Sequence, residues 1–339
     1  MPEQKTNFLQ KPQINISCPS TARMWLVSLC AFLCVLQSAV NDDGKSFIIM
    51  LTAVFSAVIV ELLLTWRKSG FSKIKDGSAV AAAVVFSLLL PNNIHPVYAA
   101  LGTLFAITVV KYSFGGLGSN WLNPALGGWL FIRFSWPSAF ENALEGYHSS
   151  VTEMAASGAS ALDNSVSSFF NDTVLSIPGV QLPSGYIDLL FLNNPGIIAD
   201  RGIFMLLLGT IIITAVGINR YWVPLVFLSV YCFLIRFAGA ADMFWSGDML
   251  YGLFSGGTIA AAFILAAEPS SAPKLKAGVL FAAVLQAVLS WFFRYRCLEY
   301  TGCFMALALV NCFTPVIRFL EEKFFLSPNG RGIFAEKKS

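Results

Sequence analysis

The sequence predicts an all-α polytopic membrane protein, with about ten transmembrane helices in two inverted five-helix repeats and a long outer loop. Three observations carry that prediction. First, 56% of the 339 residues are hydrophobic and 12% charged, with a mean hydropathy of +0.68. That leaves too little polar surface to cover a soluble globule of this size. Second, apolar stretches recur near 24–40, 46–65, 77–90, 96–110, 121–134, 202–216, 222–236, 248–267, 277–293 and 301–320. Third, Gly77-Ser78-Ala79-Val80-Ala81-Ala82-Ala83, running on to Pro91, is echoed by Gly257-Thr258-Ile259-Ala260-Ala261-Ala262, running on to Pro269. Each copy lies third in a run of five stretches, and paired Gly/Pro-interrupted segments point to a pathway at a repeat interface. An odd number of spans per repeat turns the second copy upside down.

The elements follow in order. Residues 1–23 are polar, with Pro2, Pro12 and Pro19, and lack the charged-then-apolar order of a signal peptide; they read as a cytoplasmic tail. Residues 24–134 form the first repeat, 135–201 the outer loop, 202–320 the second repeat and 321–339 a second cytoplasmic tail. Several spans are shorter than the roughly 20 residues of a straight crossing, so broken helices are expected, the third and eighth above all. With the N-terminus inside, 16 of the 22 Lys and Arg residues fall on the inner side, Arg67, Lys68, Lys73 and Lys75 among them. Segment 135–200 then lies outside with seven carboxylates and no Lys or Arg, while Arg294 and Arg296 are exceptions on the outer side.

The net charge of +3 resides in the inner loops and suits anionic lipid headgroups; no basic stripe interleaved with aromatics suggests nucleic acid. Seven scattered cysteines, without a CxxC pair, read as ordinary buried residues and do not converge as iron-sulfur ligands do. Two histidines leave little for zinc or haem. Redox chemistry here needs an organic cofactor.

Four segments could carry chemistry. Ser157-Gly158-Ala159-Ser160 in the outer loop reads, on composition, as a flexible polar linker. Gly115-Gly116-Leu117-Gly118, with Asn120 and Asn123-Pro124, offers close backbone approach and amide ligands for a cofactor or cation, or else tight helix packing. Asn311-Cys312-Phe313-Thr314-Pro315 partly echoes it. Glu268 before Pro269 is either a cation ligand or helix-break cap, or a solvated loop acid. Glu61, the one acid well inside an apolar run, either snorkels to the inner surface or lies on an ion path.

Together these segments resemble the RnfD/NqrB family, the membrane subunits of the Rnf complex and of the sodium-pumping NADH:quinone reductase. The resemblance rests on Asp76-Gly77-Ser78-Ala79 with Leu88-Leu89-Leu90-Pro91, Gly115-Gly116-Leu117-Gly118 with Asn120 and Asn123-Pro124-Ala125, Gly256-Gly257-Thr258, and Ser157-Gly158-Ala159-Ser160. It implies that Ser160 stands where the family esterifies a hydroxyl to FMN, with Ser157, Gly158 and Ala159 completing the attachment motif and a flavin transferase performing the attachment. Here Met154 replaces the family's acid before the motif, Ala161 the usual Pro after it, and Ala267-Glu268-Pro269 the usual Thr-Asp-Pro. The tail of about 23 residues before the first span favours the RnfD branch over the longer quinone-reductase subunit.

The resemblance thus implies a flavin-carrying subunit of an ion-translocating ferredoxin:NAD oxidoreductase in a bacterial inner membrane. It implies partner subunits carrying iron-sulfur and flavin groups, sodium ions or protons as cargo, and a second, non-covalent flavin (riboflavin or FMN) near Gly115, Gly116, Asn120 and Asn123. Two other classes use the same helical core: a passive channel or secondary transporter, predicting solute flux without flavin, and a structural scaffold, predicting assembly without activity.

Overall fold

The computed structural model describes residues 20–66, 74–113, 122–144, 160–173, 184–191, 196–217, 220–238, 247–269 and 271–324. Each of the ten apolar stretches coincides with helix. The first five are α1 (Ser20–Asn41), α2 (Lys45–Thr65), α3 (Ser78–Leu88), α4 (Pro96–Phe105, continued as a π-helix over Ala106–Tyr112) and α5 (Pro124–Ser135). Between the halves lie α6 (Pro137–Ala143), α7 (Ala161–Thr173), α8 (Tyr186–Phe191) and α9 (Ile198–Arg201). The second five begin with α10 (Ile203–Ala215) and α11 (Trp222–Ala238). The eighth span is α12 (Met249–Phe254), a break, then α13 (Thr258–Ala260) running into a π-helix over Ala261–Ala266; α14 (Lys276–Tyr295) and α15 (Gly302–Phe324) complete the chain. Described residues within 135–201 are thus largely helical, while Ser157, Gly158 and Ala159, where the linker reading falls, lie outside the described residues.

Sequence chemistry sets the helix ends. Asp42 accepts the Ser46 backbone N–H in the turn between α1 and α2, and the Ser38 and Ser46 hydroxyls meet at 2.8 Å across that hairpin. Asn123 and Asp248 cap α5 and α12 through backbone N–H groups of Ala125 and Tyr251, and Pro124 occupies the first helical position of α5. The repeated Gly77 and Gly257 both precede a broken helix with φ near +70° (70° and 71°). A Cβ on Gly257 would stand 2.3 Å from Phe304 and 2.8 Å from Ile197, so close packing and backbone conformation both require glycine.

Four helices of 20 or 21 residues, Thr21–Asn41, Lys45–Thr65, Lys276–Tyr295 and Gly302–Glu321, are long and apolar enough to cross a bilayer. Large apolar side chains face outward, including Phe55 and Leu63 on α2, Ile211 on α10 and Phe319 on α15. Ion-pairing and hydroxyl groups lie within. This inside-out polarity belongs to a multi-pass membrane protein. The halves join through Trp129 of α5 and Phe304 of α15, whose rings pack edge to face at 5.4 Å. The connection also closes the end of α3: Ile198 N–H donates to the Leu90 carbonyl at 2.9 Å.

Asn311 and Pro315 lie inside α15, whereas Asn123 and Pro124 begin α5. The partial amide-proline echo therefore does not repeat a helix start. Arg294 is not a loop charge but a buried one, and Glu61 is paired rather than snorkelling, as described next.

Candidate functional site

Ser160 opens α7. Its Oγ accepts the Asp163 backbone N–H at 3.1 Å, the geometry of an N-cap, which orders this end of the helix by about 1 kcal/mol. The same residue is gripped from outside the helix: the Ser160 N–H donates to Asp188 Oδ2 at 2.8 Å, and its hydroxyl contacts Asp188 Oδ1. Asp163 reciprocates, accepting the N–H groups of Gly185 (2.7 Å) and Ile187 (2.8 Å) at the start of α8. Two carboxylates thus cross-link two helix N-termini, where negative charge is favoured. Ser160 is half-buried and Asp163 fully buried.

The clasp is tied to the bundle. Gln37 and Asn41 donate their amide N–H groups to the Leu190 and Phe191 carbonyls (3.3 and 3.1 Å), and Tyr186 donates its hydroxyl to Asp248 at 2.8 Å. Burial, reinforced by Asp248, pushes the Tyr186 phenol above its ordinary range, so it remains a donor. At the other end of α1, Trp25 Nε1 donates to the Lys75 carbonyl at 3.2 Å. Lys75 and the segment that clasps Ser160 consequently meet opposite ends of α1, at contacts about 20 Å apart along its axis.

Ser157, Gly158 and Ala159 lie outside the described residues, as do Gly115, Gly116 and Asn120. Asn123 and Glu268, both singled out from the sequence, are brought together from opposite halves: Asn123 Nδ2 donates to Glu268 Oε2 while Asn123 Oδ1 caps α5. Both polar atoms of the Asn123 amide are engaged. Among the described residues no group of three or more His, Cys, Asp or Glu side chains converges as metal ligands do.

Sequence reading singled out Glu61 and Arg294 but not the partners that make each part of a buried charged node. In the first, Lys111 Nζ lies 2.5 Å from Glu61 Oε1 and donates to Ser78 Oγ at 2.6 Å, while Tyr112 donates to the same Glu61 oxygen at 2.9 Å. Lys111 and Glu61 are 3% and 1% exposed. In the second, Arg294 donates to the Ser255 carbonyl at 2.7 Å and the Gly252 carbonyl at 3.1 Å, and Asp200 accepts from Gly256 N–H, Gly257 N–H and the Tyr300 hydroxyl at 2.8–2.9 Å. Asp163 was findable: Ser160-Ala161-Leu162-Asp163 has the Ser-x-x-acid spacing of a helix start. Asp188, 28 residues beyond Ser160, had no local signal.

The chain matches the model of the NQR2, RnfD, RnfE family over residues 8–325. It is 26% identical over 308 residues to the D component of the proton-translocating ferredoxin:NAD(+) oxidoreductase complex of Clostridium ljungdahlii, covering 87% of this chain and 88% of that one. It is also 26% identical over 275 residues to the D component of the Na(+)-translocating ferredoxin:NAD(+) oxidoreductase complex of Acetobacterium woodii, covering 80% of each. The D component of an ion-translocating oxidoreductase complex from Shewanella amazonensis is 26% identical over 338 residues, covering 91% and 94%.

Proposed function

The chain belongs to the NQR2, RnfD, RnfE family, and from that premise we propose that it is the RnfD-type membrane component of an ion-translocating ferredoxin:NAD oxidoreductase complex and carries FMN esterified to Ser160. The observation that carries the flavin assignment is the Ser160 clasp. A phosphoester needs an accessible hydroxyl, and Ser160 is half-buried on a folded surface rather than lost in the core. It stands at the N-terminus of a 13-residue helix, where backbone N–H groups favour a phosphate. Asp188 Oδ1 lies against the hydroxyl and would take its proton as the Ser160 oxygen displaces a nucleotide leaving group from the phosphorus of a flavin dinucleotide donor held by the transferase. These residues fit the group. FMN, when bound, supplies one- and two-electron transfer; the protein's part is to hold and orient it.

In this reading the chain sits in a bacterial inner membrane with both termini cytoplasmic and loop 135–201 outside, where a flavin transferase reaches Ser160. The relatives' names, which specify proton- or sodium-translocating complexes, support partner subunits and an ion cargo. A second, non-covalent flavin belongs near Gly115, Gly116, Asn120 and Asn123. Glu268, reaching Asn123 across the halves, is a further candidate for cation contact at that interface.

The test is flavin fluorescence of the denatured gel band after co-expression with a flavin transferase. We expect a fluorescent wild-type band, none for Ser160→Ala, and a weakened band for Asp188→Asn with the protein still inserted. Equal fluorescence in wild type and Ser160→Ala overturns the attachment site.

A further inference from the structure

We infer that Tyr186 and Asp248 are positioning residues through which the state of Ser160 reaches the broken eighth span: with a free hydroxyl Ser160 holds α12 in place, and with an ester it lets α12 move. The inference rests on the attachment to Ser160 proposed above and adds what attachment does to the rest of the chain. Asp188, which grips Ser160, lies on α8 together with Tyr186. The Tyr186 hydroxyl donates to Asp248 Oδ2 at 2.8 Å, and the other oxygen of Asp248 accepts the Tyr251 N–H at 3.0 Å as the N-cap of α12. Leu189 and Tyr251 form a small buried cluster against which Tyr186 and Phe254 pack. One carboxylate and one apolar contact thus join the clasp to α12.

The far end of α12 is built as a hinge. The helix stops at Ser255, which is extended, and Gly256 and Gly257 follow with φ of 69° and 71°, where glycine sits without strain. Asp200 fixes both glycine N–H groups beyond this break, so a displaced α12 turns about Ser255 while α13 stays. The Gly252 carbonyl travels with α12. It accepts from Thr258 Oγ1 at 2.9 Å and from Arg294 at 3.1 Å, and the same Thr258 hydroxyl stands 3.5 Å from the Sγ of Cys303, a fully buried thiol.

Charge supplies the trigger. On esterification Ser160 exchanges its Oγ–H bond for an Oγ–P bond, the phosphorus releasing its nucleotide and the proton passing by way of Asp188 to water. Ser160 then has no hydrogen to give Asp188 and bears a negative charge beside it. Asp163 already stands in the clasp, and residues 135–200 contain no Lys or Arg to set against a third negative charge. Asp188 is 5% exposed, so its carboxylate reaches water only if the N-terminal end of α8, with Tyr186, shifts as well. The other end of α8 stays tied by Gln37 and Asn41 to the Leu190 and Phe191 carbonyls. The helix therefore pivots, and the pull falls on Asp248.

The test is the rate at which N-ethylmaleimide alkylates Cys303, read by peptide mass spectrometry in membranes holding the assembled complex, with buried Cys30 on α1 as internal reference. Cys303 should react slowly in unesterified wild type and about tenfold faster after flavin attachment, with Cys30 unchanged. Ser160→Asp without transferase should match the esterified protein, since aspartate keeps the cap of α7 and adds the charge. Tyr186→Phe alone should reach the same rate, and Ser160→Asp added to it should change nothing further, whereas a merely structural Tyr186 would let the two effects multiply. Asp248→Asn, which keeps a cap for α12 and an acceptor for Tyr186, should raise the rate less than Asp248→Ala. Equal Cys303 rates in wild type and Ser160→Asp, a flavin-bearing wild type with an unchanged rate, multiplied effects in the double variant, or Cys30 rising together with Cys303 would each overturn the inference. Gel fluorescence reports attachment separately: a dark wild-type band sinks the attachment reading, while Ser160→Asp still decides the link from Ser160 to α12.

Discussion

The two broken helices solve one electrostatic problem with different parts. Both α3 and α13 start at a left-handed glycine, and both place a hydroxyl, Ser78 or Thr258, as first helical residue beneath a buried cation from another helix. A cation at a helix N-terminus is repelled by the dipole, so each half needs an anion nearby. The first half supplies it internally: Asp76 binds Ser78, and Glu61 on α2 pairs with Lys111 at 2.5 Å. The second borrows Asp200 from the connection between halves, while Arg294 rests on carbonyls and lies over the rings of Tyr251, Tyr295 and Tyr300 at 5.7–5.8 Å. The first node is a compact ion pair. The second is a dispersed network that depends on how the halves meet.

That difference can be broken at several points. The largest effect is expected at the ion pair: Glu61→Gln or Lys111→Met alone leaves one buried charge uncompensated and should cost about 3–5 kcal/mol, whereas the double variant should recover most of it. Thermal unfolding in detergent, read as a double-mutant cycle, checks this. A loss in the double variant equal to the sum of the two single losses would show that Glu61 and Lys111 do not act as a pair. Asp200→Asn should be milder, about 2 kcal/mol, because the Arg294 charge is shared among several acceptors and an amide in place of the carboxylate keeps part of the hydrogen bonding. Its measured signature is easier proteolysis between the halves.

The smallest and most discriminating comparison sets Ser78→Ala beside Thr258→Ala. Ser78 loses a charge-assisted bond of 2.6 Å, Thr258 only a 3.4 Å contact with Arg294 and bonds to carbonyls. We expect about 2 kcal/mol for the first and about 1 kcal/mol for the second, from the same unfolding measurement. Equal costs would erase the distinction between the nodes.

Helix positions were legible because lipid-facing helices must be apolar over their length, and no competing structure satisfies the backbone in a bilayer. The broken third and eighth spans were legible for a related reason: Gly77, Pro91, Gly257 and Pro269 interrupt them chemically. Ser160 was legible only through its resemblance to a family motif, since Ser-Gly-Ala-Ser taken alone reads as a linker. The helices around it were obscured because α7 is polar and α8 only six residues long, both held through the carboxylates of Asp163 and Asp188.

The sequence by itself determined the class, the ten apolar segments and the breaks, since these follow from local chemistry against a uniform solvent. Pairing across distance was decided by tertiary structure alone. Glu61 meets Lys111 across 50 residues, Tyr186 meets Asp248 across 62, and Asn123 meets Glu268 across 145. Nothing in a linear pattern marks which polar side chain meets which partner. That depends on which helices pack together, and on the cost of leaving a polar group unpaired away from water.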